Sequence, residues 1–429
     1  MAGIVSLKRP SPNGVIVLAM VVTPFVVAAT VWQPWPTAMA LLAFCTLVLV
    51  RHPWRGGPLI VTVALVGGMA GLPWWSAPLL ALVTAVACLG RPARVRFGSE
   101  HVIVASLVLL LVVSWAFPSG RGVAGRLALH DMTQVTTGLI ILAVCAAVPP
   151  CVKRLPPVIV LSGAAVAAVV LVVGDTHAGT RLQGFGLNPN YLGGLLVLPT
   201  VVAFAMAGLR RTPLWVIPGT VTLVALVDTE SRAALFAVVA GLAAVVLTRG
   251  PRPARPPLVG VVVVAATLIA VVPGMLNAGG GRGGAELERN NDVRAQSAVL
   301  AAGMAAEHPL RGMGYGTFPG QAALSPQPGV FINTHNDYLR LAAESGVVSA
   351  ALLILLICRA VRRAAGADEH ILAAGVTAYA VVLLFGNTLS NLMASTQFWV
   401  CLGTLLGTRH LEAALVTAHR TAPRTTNGT

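Results

Sequence analysis

The chain has 429 residues, 56% of them hydrophobic and only 10% charged, with a formal net charge of +15 and a mean hydropathy of +0.82. Soluble domains carry about 25% charged residues, so a water-soluble globule is excluded. The apolar runs are continuous rather than alternating, which excludes a β-barrel, and the basic residues stand singly or in small groups between those runs, which argues against nucleic acid as a partner.

The apolar runs predict an all-α, polytopic integral membrane protein with 12–14 transmembrane helices and one long extracytoplasmic loop containing short helices. In chain order the spans fall at 14–32, 36–50, 58–73, 75–90, 101–117, 132–149, 157–174, 190–208, 213–228, 231–248, 257–273, 338–360, 371–388 and 392–408. Lys8-Arg9 before the first run reads as the flank of an uncleaved first helix. The six cysteines (Cys45, Cys88, Cys145, Cys151, Cys358 and Cys401) fall in or beside apolar segments without metal-ligand spacing, and are read as core residues.

With the N-terminus inside, 20 of the 29 basic residues fall on cytoplasmic connections, as the positive-inside rule requires. The other nine are Arg121, Arg126, Arg181, Arg232, Arg282, Arg289, Arg294, Arg311 and Arg340. Topology gives no reason for them, so the outer face carries the polar chemistry. Almost no ionisable residue lies in the middle of a span, where a transporter or flippase of lipid-linked saccharides would place its route.

Connections are short except for the outer loop from Pro273 to Asn336, and a long ordered loop is usually functional. The loop opens on "NAGGGRGG". An amphipathic helix follows, with Val293, Leu300 and Met304 on one stripe, and it ends before Pro309. Tight turns at "GMGYG" and "PQPG" come next.

Three helices begin at the outer boundary with polar chemistry. In "GLNPNYLGG", Asn188 is the expected N-cap and Pro189 the first helical residue. In "VDTESRAAL", Asp228, Thr229 and Ser231 form a turn and Arg232 enters the next helix. In "FINTHNDYLRLAAESG", Thr334 and Asp337 read as a capping box that places His335 at the first helical position. A positive helix end there favours neutral imidazole, the form a general base needs. Asp337, Arg340 and Glu344 follow at spacings that allow mutual pairing. Converging helix N-termini with added Arg make an anion site.

"HPLRGMGYGTF" followed by "FINTHNDYLRLAAESGVVSA" resembles the signature of the O-antigen ligase and polymerase superfamily: an Arg, a P-x-x-G-x-G turn, H-N-x-Y-L, then E-x-G before a span. "SRAAL" and "GLNPNYLGG" resemble two further motifs of that family, and the likeness runs from about Arg181 to Ala350. It implies a metal-independent membrane glycosyltransferase without a cofactor. Such an enzyme moves a glycan from an undecaprenyl-diphosphate carrier to a glycan, lipid or protein acceptor, in the bilayer of the plasma membrane and on its extracytoplasmic side. A repeat-unit polymerase is the alternative within the superfamily.

By motif, the resemblance makes His335 the catalytic base and sets Arg232 and Arg294 on the donor diphosphate; Arg294 stands at the family spacing and Arg289 does not. Asn188, Asn190, Arg181, Asn336, Tyr338 and Arg340 are the implied substrate-binding residues, with Arg340 standing where the family often has a neutral side chain. The chain divides into N-terminal spans at 1–180, a ligase-like region at 181–360 containing the outer loop, and C-terminal spans with a tail at 361–429.

Overall fold

In the computed structural model the described residues are 34–69, 71–73, 75–89, 95, 97–119, 126–148, 151–177, 181–248, 284–324 and 334–408. The expected spans at 14–32 and 257–273, the Lys8-Arg9 flank, most of "NAGGGRGG" and the "PQPG" turn lie outside them. Every other expected span is helical. The helices are α1 (Pro34–Arg51), α2 (Gly56–Thr62, continued by a π-turn over Val63–Gly67), α3 (Ser76–Leu89), α4 (Ser99–Ala116), α5 (Arg126–Ala147), α6 (Leu155–Val173), α7 (Pro189–Leu209), α8 (Val216–Asp228) and α9 (Arg232–Thr248). The loop contributes α10 (Gly284–Glu307) and α11 (Phe318–Leu324). Then come α12 (Asp337–Ser345), α13 (Val347–Arg363), α14 (Ala367–Phe385) and α15 (Leu392–Gly407). In lipid a helix satisfies its own backbone, which is why these apolar runs take this form. Five of them are long and apolar enough to cross a membrane, and five more are shorter apolar helices.

The central helix is α7, 89% buried along its apolar window and packed by α6, α8, α9, α14 and α15. Small residues let its neighbours approach: a side chain at Gly163 on α6 would meet the Pro199 ring of α7 at 2.3 Å. Four cysteines are buried in this core, while Cys151 is half-buried and Cys358 exposed.

Two features of the helical framework depart from the sequence reading. The span expected at 338–360 is two helices, because Gly346 adopts φ 86° between α12 and α13. A short antiparallel hairpin also precedes α7, with β1 (Asp175–His177) paired to β2 (Arg181–Gln183) and His177 opposite Arg181. Its strands have only three residues each and no alternating pattern, so periodicity gave no sign of them.

The bundle has two chemically different ends. At one end Arg210 pairs with Asp368 at 2.8 Å, Arg363 with Glu100 at 3.3 Å, and Arg359 donates to Ser99. This is the Arg-rich side that the sequence reading places towards the cytoplasm. At the other end lie the starts of α5, α7, α9, α12 and α15 together with the loop helices.

Candidate active site

The expected capping box at Thr334 does not form. Asn336 is the N-cap of α12, its side chain accepting from the Leu339 amide at 3.0 Å, and Asp337 is the first helical residue. The Thr334 hydroxyl instead donates to the Asn336 carbonyl at 3.0 Å and lies 3.1 Å from Asn387 Oδ1. Both Asn and Thr can cap, and Asn here lies closer to the first turn. His335 therefore sits outside the helix, in a left-handed conformation with φ 51°. Such backbone is uncommon outside glycine and is found at functional positions. Its imidazole is half-buried, and burial, with the Arg294 charge added, pushes its pKa down to about 4. Desolvation and a cation, in place of the first-turn helix position, favour the neutral imidazole.

Arg294 is half-buried on α10, which packs along α12. The stripe expected on this loop helix is real: Val293 and Met304 are buried, and Leu300 packs on a small core of Ala301, Met304, Phe318, Ala322 and Ala343. That core seats the Arg294 helix over the His335 turn.

The "GMGYG" segment docks on the end of α12. Met313 N–H donates to the Ala343 carbonyl at 2.9 Å, Gly314 N–H to the Glu344 carbonyl at 3.0 Å, and Val347 N–H to the Pro309 carbonyl at 2.8 Å. The first two bonds pair carbonyls at the end of α12, and the third pairs the first N–H of α13, groups that would otherwise be orphaned. Ser114 of α4 adds its hydroxyl to the Glu344 carbonyl. The fully buried Glu344 side chain accepts from Phe318 N–H at 3.0 Å and from Arg340 Nε at 3.1 Å, tying α11 to α12.

Arg340 is the centre of a buried network. Besides Glu344 it donates to Asp131 on α5 at 2.9 Å and to Ser390 at 3.2 Å, and it lies 5.3 Å from the ring centroid of the buried Tyr315. Burial would lower its pKa, but Tyr315, Glu344 and Asp131 outweigh that and hold it charged. The expected pairing of Asp337 with Arg340 gives way to a bond with another segment. The Asp337 carboxylate accepts from the Thr388 amide at 2.8 Å and the Leu389 amide at 3.3 Å. Burial raises its pKa to about 7, with Arg340 and those amides opposing. Tyr338 donates its hydroxyl to the Ala380 carbonyl at 3.0 Å.

At the start of α7 the expectation holds. Asn188 caps, accepting from the Asn190 and Tyr191 amides at 3.0 Å each, and Pro189 is the first helical residue. Arg181, buried on β2, joins this cap to the next helix pair: it donates to Asn190 Oδ1 at 2.8 Å and to the Thr229 carbonyl at 3.0 Å. Gly193 is required one turn further in, where an added Cβ would meet the Ser231 Cβ at 2.8 Å. The 229–231 turn thus rests directly on α7, and Arg232 opens α9 beside it with an exposed side chain.

The structure therefore gathers Arg181, Asn188, Asn190 and the Arg232 turn around the start of α7, and His335, Asn336, Tyr338 and Arg340 around the start of α12, with Arg294 coupled to His335. Sequence reasoning missed Asp131, Tyr315 and the 387–391 turn. Asp131 stood among the outer-face acids, but nothing local tied it to Arg340.

Residues 219–354 match the family model described as O-antigen ligase. This match supports a place in the O-antigen ligase/polymerase superfamily for the segment it covers. No curated protein matches the chain significantly. The matched segment holds Arg232, Arg294, His335, Asn336, Tyr338 and Arg340. Its support comes partly from elsewhere: Arg181, Asn188, Asn190, Asp131 and the 387–391 turn all lie outside the O-antigen ligase match.

Proposed function

We propose that this protein transfers a preassembled glycan from an undecaprenyl-diphosphate carrier to an acceptor hydroxyl on the extracytoplasmic face of the plasma membrane, in the manner of an O-antigen ligase. The observation that carries the reading is the neutral, half-buried His335 imidazole within the electrostatic reach of Arg294. A base within reach of a cation's field suits a displacement in which a proton leaves the nucleophile as negative charge develops on the leaving group.

In this reading the acceptor hydroxyl donates its proton to His335 while its oxygen bonds to the anomeric carbon. The bond from that carbon to the diphosphate oxygen breaks, and Arg294 and Arg232 take up the charge released on the diphosphate. One such displacement inverts the anomeric configuration. Arg340 holds α12 in place through Glu344 and Asp131, and Asn336 fixes the start of the helix. Arg181, Asn188 and Asn190 shape the entry beside Arg232. The positive diphosphate site also tunes the base: a bound diphosphate cancels the Arg294 charge and lets the His335 pKa rise towards the working range.

The test uses proteoliposomes loaded with radiolabelled undecaprenyl-diphosphate oligosaccharide. Label passes to an added glycan or lipid acceptor without nucleotide, and a His335 variant does not support it. Joining of donor glycans to one another in place of ligation identifies a polymerase. Movement of labelled lipid across the bilayer without transfer overturns the enzyme reading in favour of a transporter.

A further inference from the structure

A cavity of about 340 Å³ opens at the site end of the bundle, between the α2 π-turn, the starts of α3, α5 and α15, and the 184–187 turn. This is within the size range of small-ligand pockets. Every residue lining it lies outside the 219–354 family match. It nevertheless abuts the Arg340 network through two shared segments. On α5, Asp131 binds Arg340 while its neighbours His130 and Gln134 face the cavity. In the 387–391 turn, Ser390 binds Arg340 while Asn391 faces the cavity.

Among the described residues the lining carries no Asp, Glu, Lys or Arg, so it does not suit a phosphate or any other charged group. It does hold amides, hydroxyls and an imidazole beside apolar walls. Gln134 is fixed at both ends. Its Oε1 accepts from the Leu392 amide at 2.6 Å, which leaves its Nε2 as the donor to His130 Nε2 at 2.5 Å. His130 Nε2 thus pairs with the Gln134 amide, which holds the ring in place at the cavity wall. Asn391 and Thr396 offer further polar atoms, and Phe185, held at φ 55°, supplies an aromatic wall. Fixed neutral hydrogen-bonding groups beside an aromatic ring match the hydroxyls and the C–H face of a pyranose.

We infer that this cavity is a neutral-saccharide subsite, formed by the part of the chain that the family match does not cover, which selects the sugar processed at the neighbouring site. The inference rests on the transferase reading for its purpose but not for its test. The sugar belongs either to the donor glycan or to the acceptor, and the experiment separates the two.

Full-length protein in nanodiscs is probed by saturation-transfer NMR with methyl glycosides of neutral hexoses, N-acetylhexosamines and pentoses. At least one glycoside binds the wild type. Ala64→Phe, which fills the cavity, and Phe185→Ala, which removes its aromatic wall, abolish that signal while the melting temperature is kept. Undecaprenyl phosphate does not displace the sugar. In the transfer assay, either variant raises KM by about ten-fold or more for one substrate only: the donor if the cavity holds the donor glycan, the acceptor if it holds the acceptor. Sugar binding without any transfer keeps the subsite and sinks the transferase reading. Transfer with unchanged KM values in both variants overturns the subsite, as does displacement by undecaprenyl phosphate, which identifies an isoprenoid cavity.

Discussion

The Asp131 carboxylate accepts a hydrogen bond from Arg340 Nη2 at 2.9 Å, joining residues 209 positions apart. On its other side Arg340 binds Glu344, which has no solvent exposure. Removing the guanidinium leaves Glu344 as a buried charge without its cation, a loss of about 3–5 kcal/mol. Arg340→Met is accordingly expected to lower the detergent melting temperature and yield strongly. Arg340→Met with Glu344→Gln is expected to recover part of it. Equal melting temperatures for wild type and Arg340→Met would show that the pair does not stabilise the fold.

His335 occupies left-handed backbone that Asn also tolerates. His335→Asn is expected to keep the melting temperature and to lower the transfer rate by about 10²–10⁴, the usual contribution of a general base. Transfer at the wild-type rate would remove His335 from the chemistry.

Two causes depress the His335 pKa to about 4: burial first, then the Arg294 charge. The acid limb of kcat/KM, which reports free enzyme, should lie near that value, and the limb of kcat should lie higher because bound diphosphate offsets Arg294. In Arg294→Gln the kcat/KM limb moves up while staying below the ordinary value of 6.5, since burial remains. A limb that does not respond to the substitution would uncouple the two residues.

Two buried groups act on stability in opposite senses. His335 titrates near 4 when folded and 6.5 ordinarily, so the unfolded chain binds more protons between those values and stability rises with pH. Asp337 titrates near 7 when folded and 3.8 ordinarily, so the folded chain binds more protons in that window and stability falls as pH rises. Asp337→Asn keeps an acceptor for the Thr388 amide and removes the falling contribution. Its melting temperature should therefore climb more steeply than that of the wild type from pH 4 to 6.5. An identical slope would show that Asp337 titrates normally.

Gly346 separates α12 from α13 at φ 86°, with an added Cβ falling 2.2 Å from the Leu310 carbonyl oxygen. Gly346→Ala should cost about 1–3 kcal/mol in backbone strain, with more from displacing the 309–314 strap. Melting temperature and transfer activity should fall together. Unchanged values would mean that the strap moves aside freely.

The helix starts show what could be read from local pattern. Asn188-Pro189 capped as its sequence prescribes, because cap, proline and first turn lie within four residues. The "THND" reading erred by two positions because Thr334 and Asn336 are both competent caps, and the choice depended on Asn387, which drew Thr334 away. The break at Gly346 was invisible within an otherwise apolar run, since it depends on Pro309–Gly314 crossing there.

By itself, the sequence determined the membrane-spanning helices, the concentration of polar chemistry at one end of them, and the family motifs that name His335, Arg232 and Arg294. Those features depend on hydropathy and on residues within a few positions of one another. Only the tertiary structure decided that Asp131 holds Arg340, that Arg181 ties the cap of α7 to Thr229, and that His335 is kept neutral by burial and Arg294. Each of these joins side chains from distant segments. The partner of a buried charge is fixed by which helices pack together, and no local pattern encodes that choice.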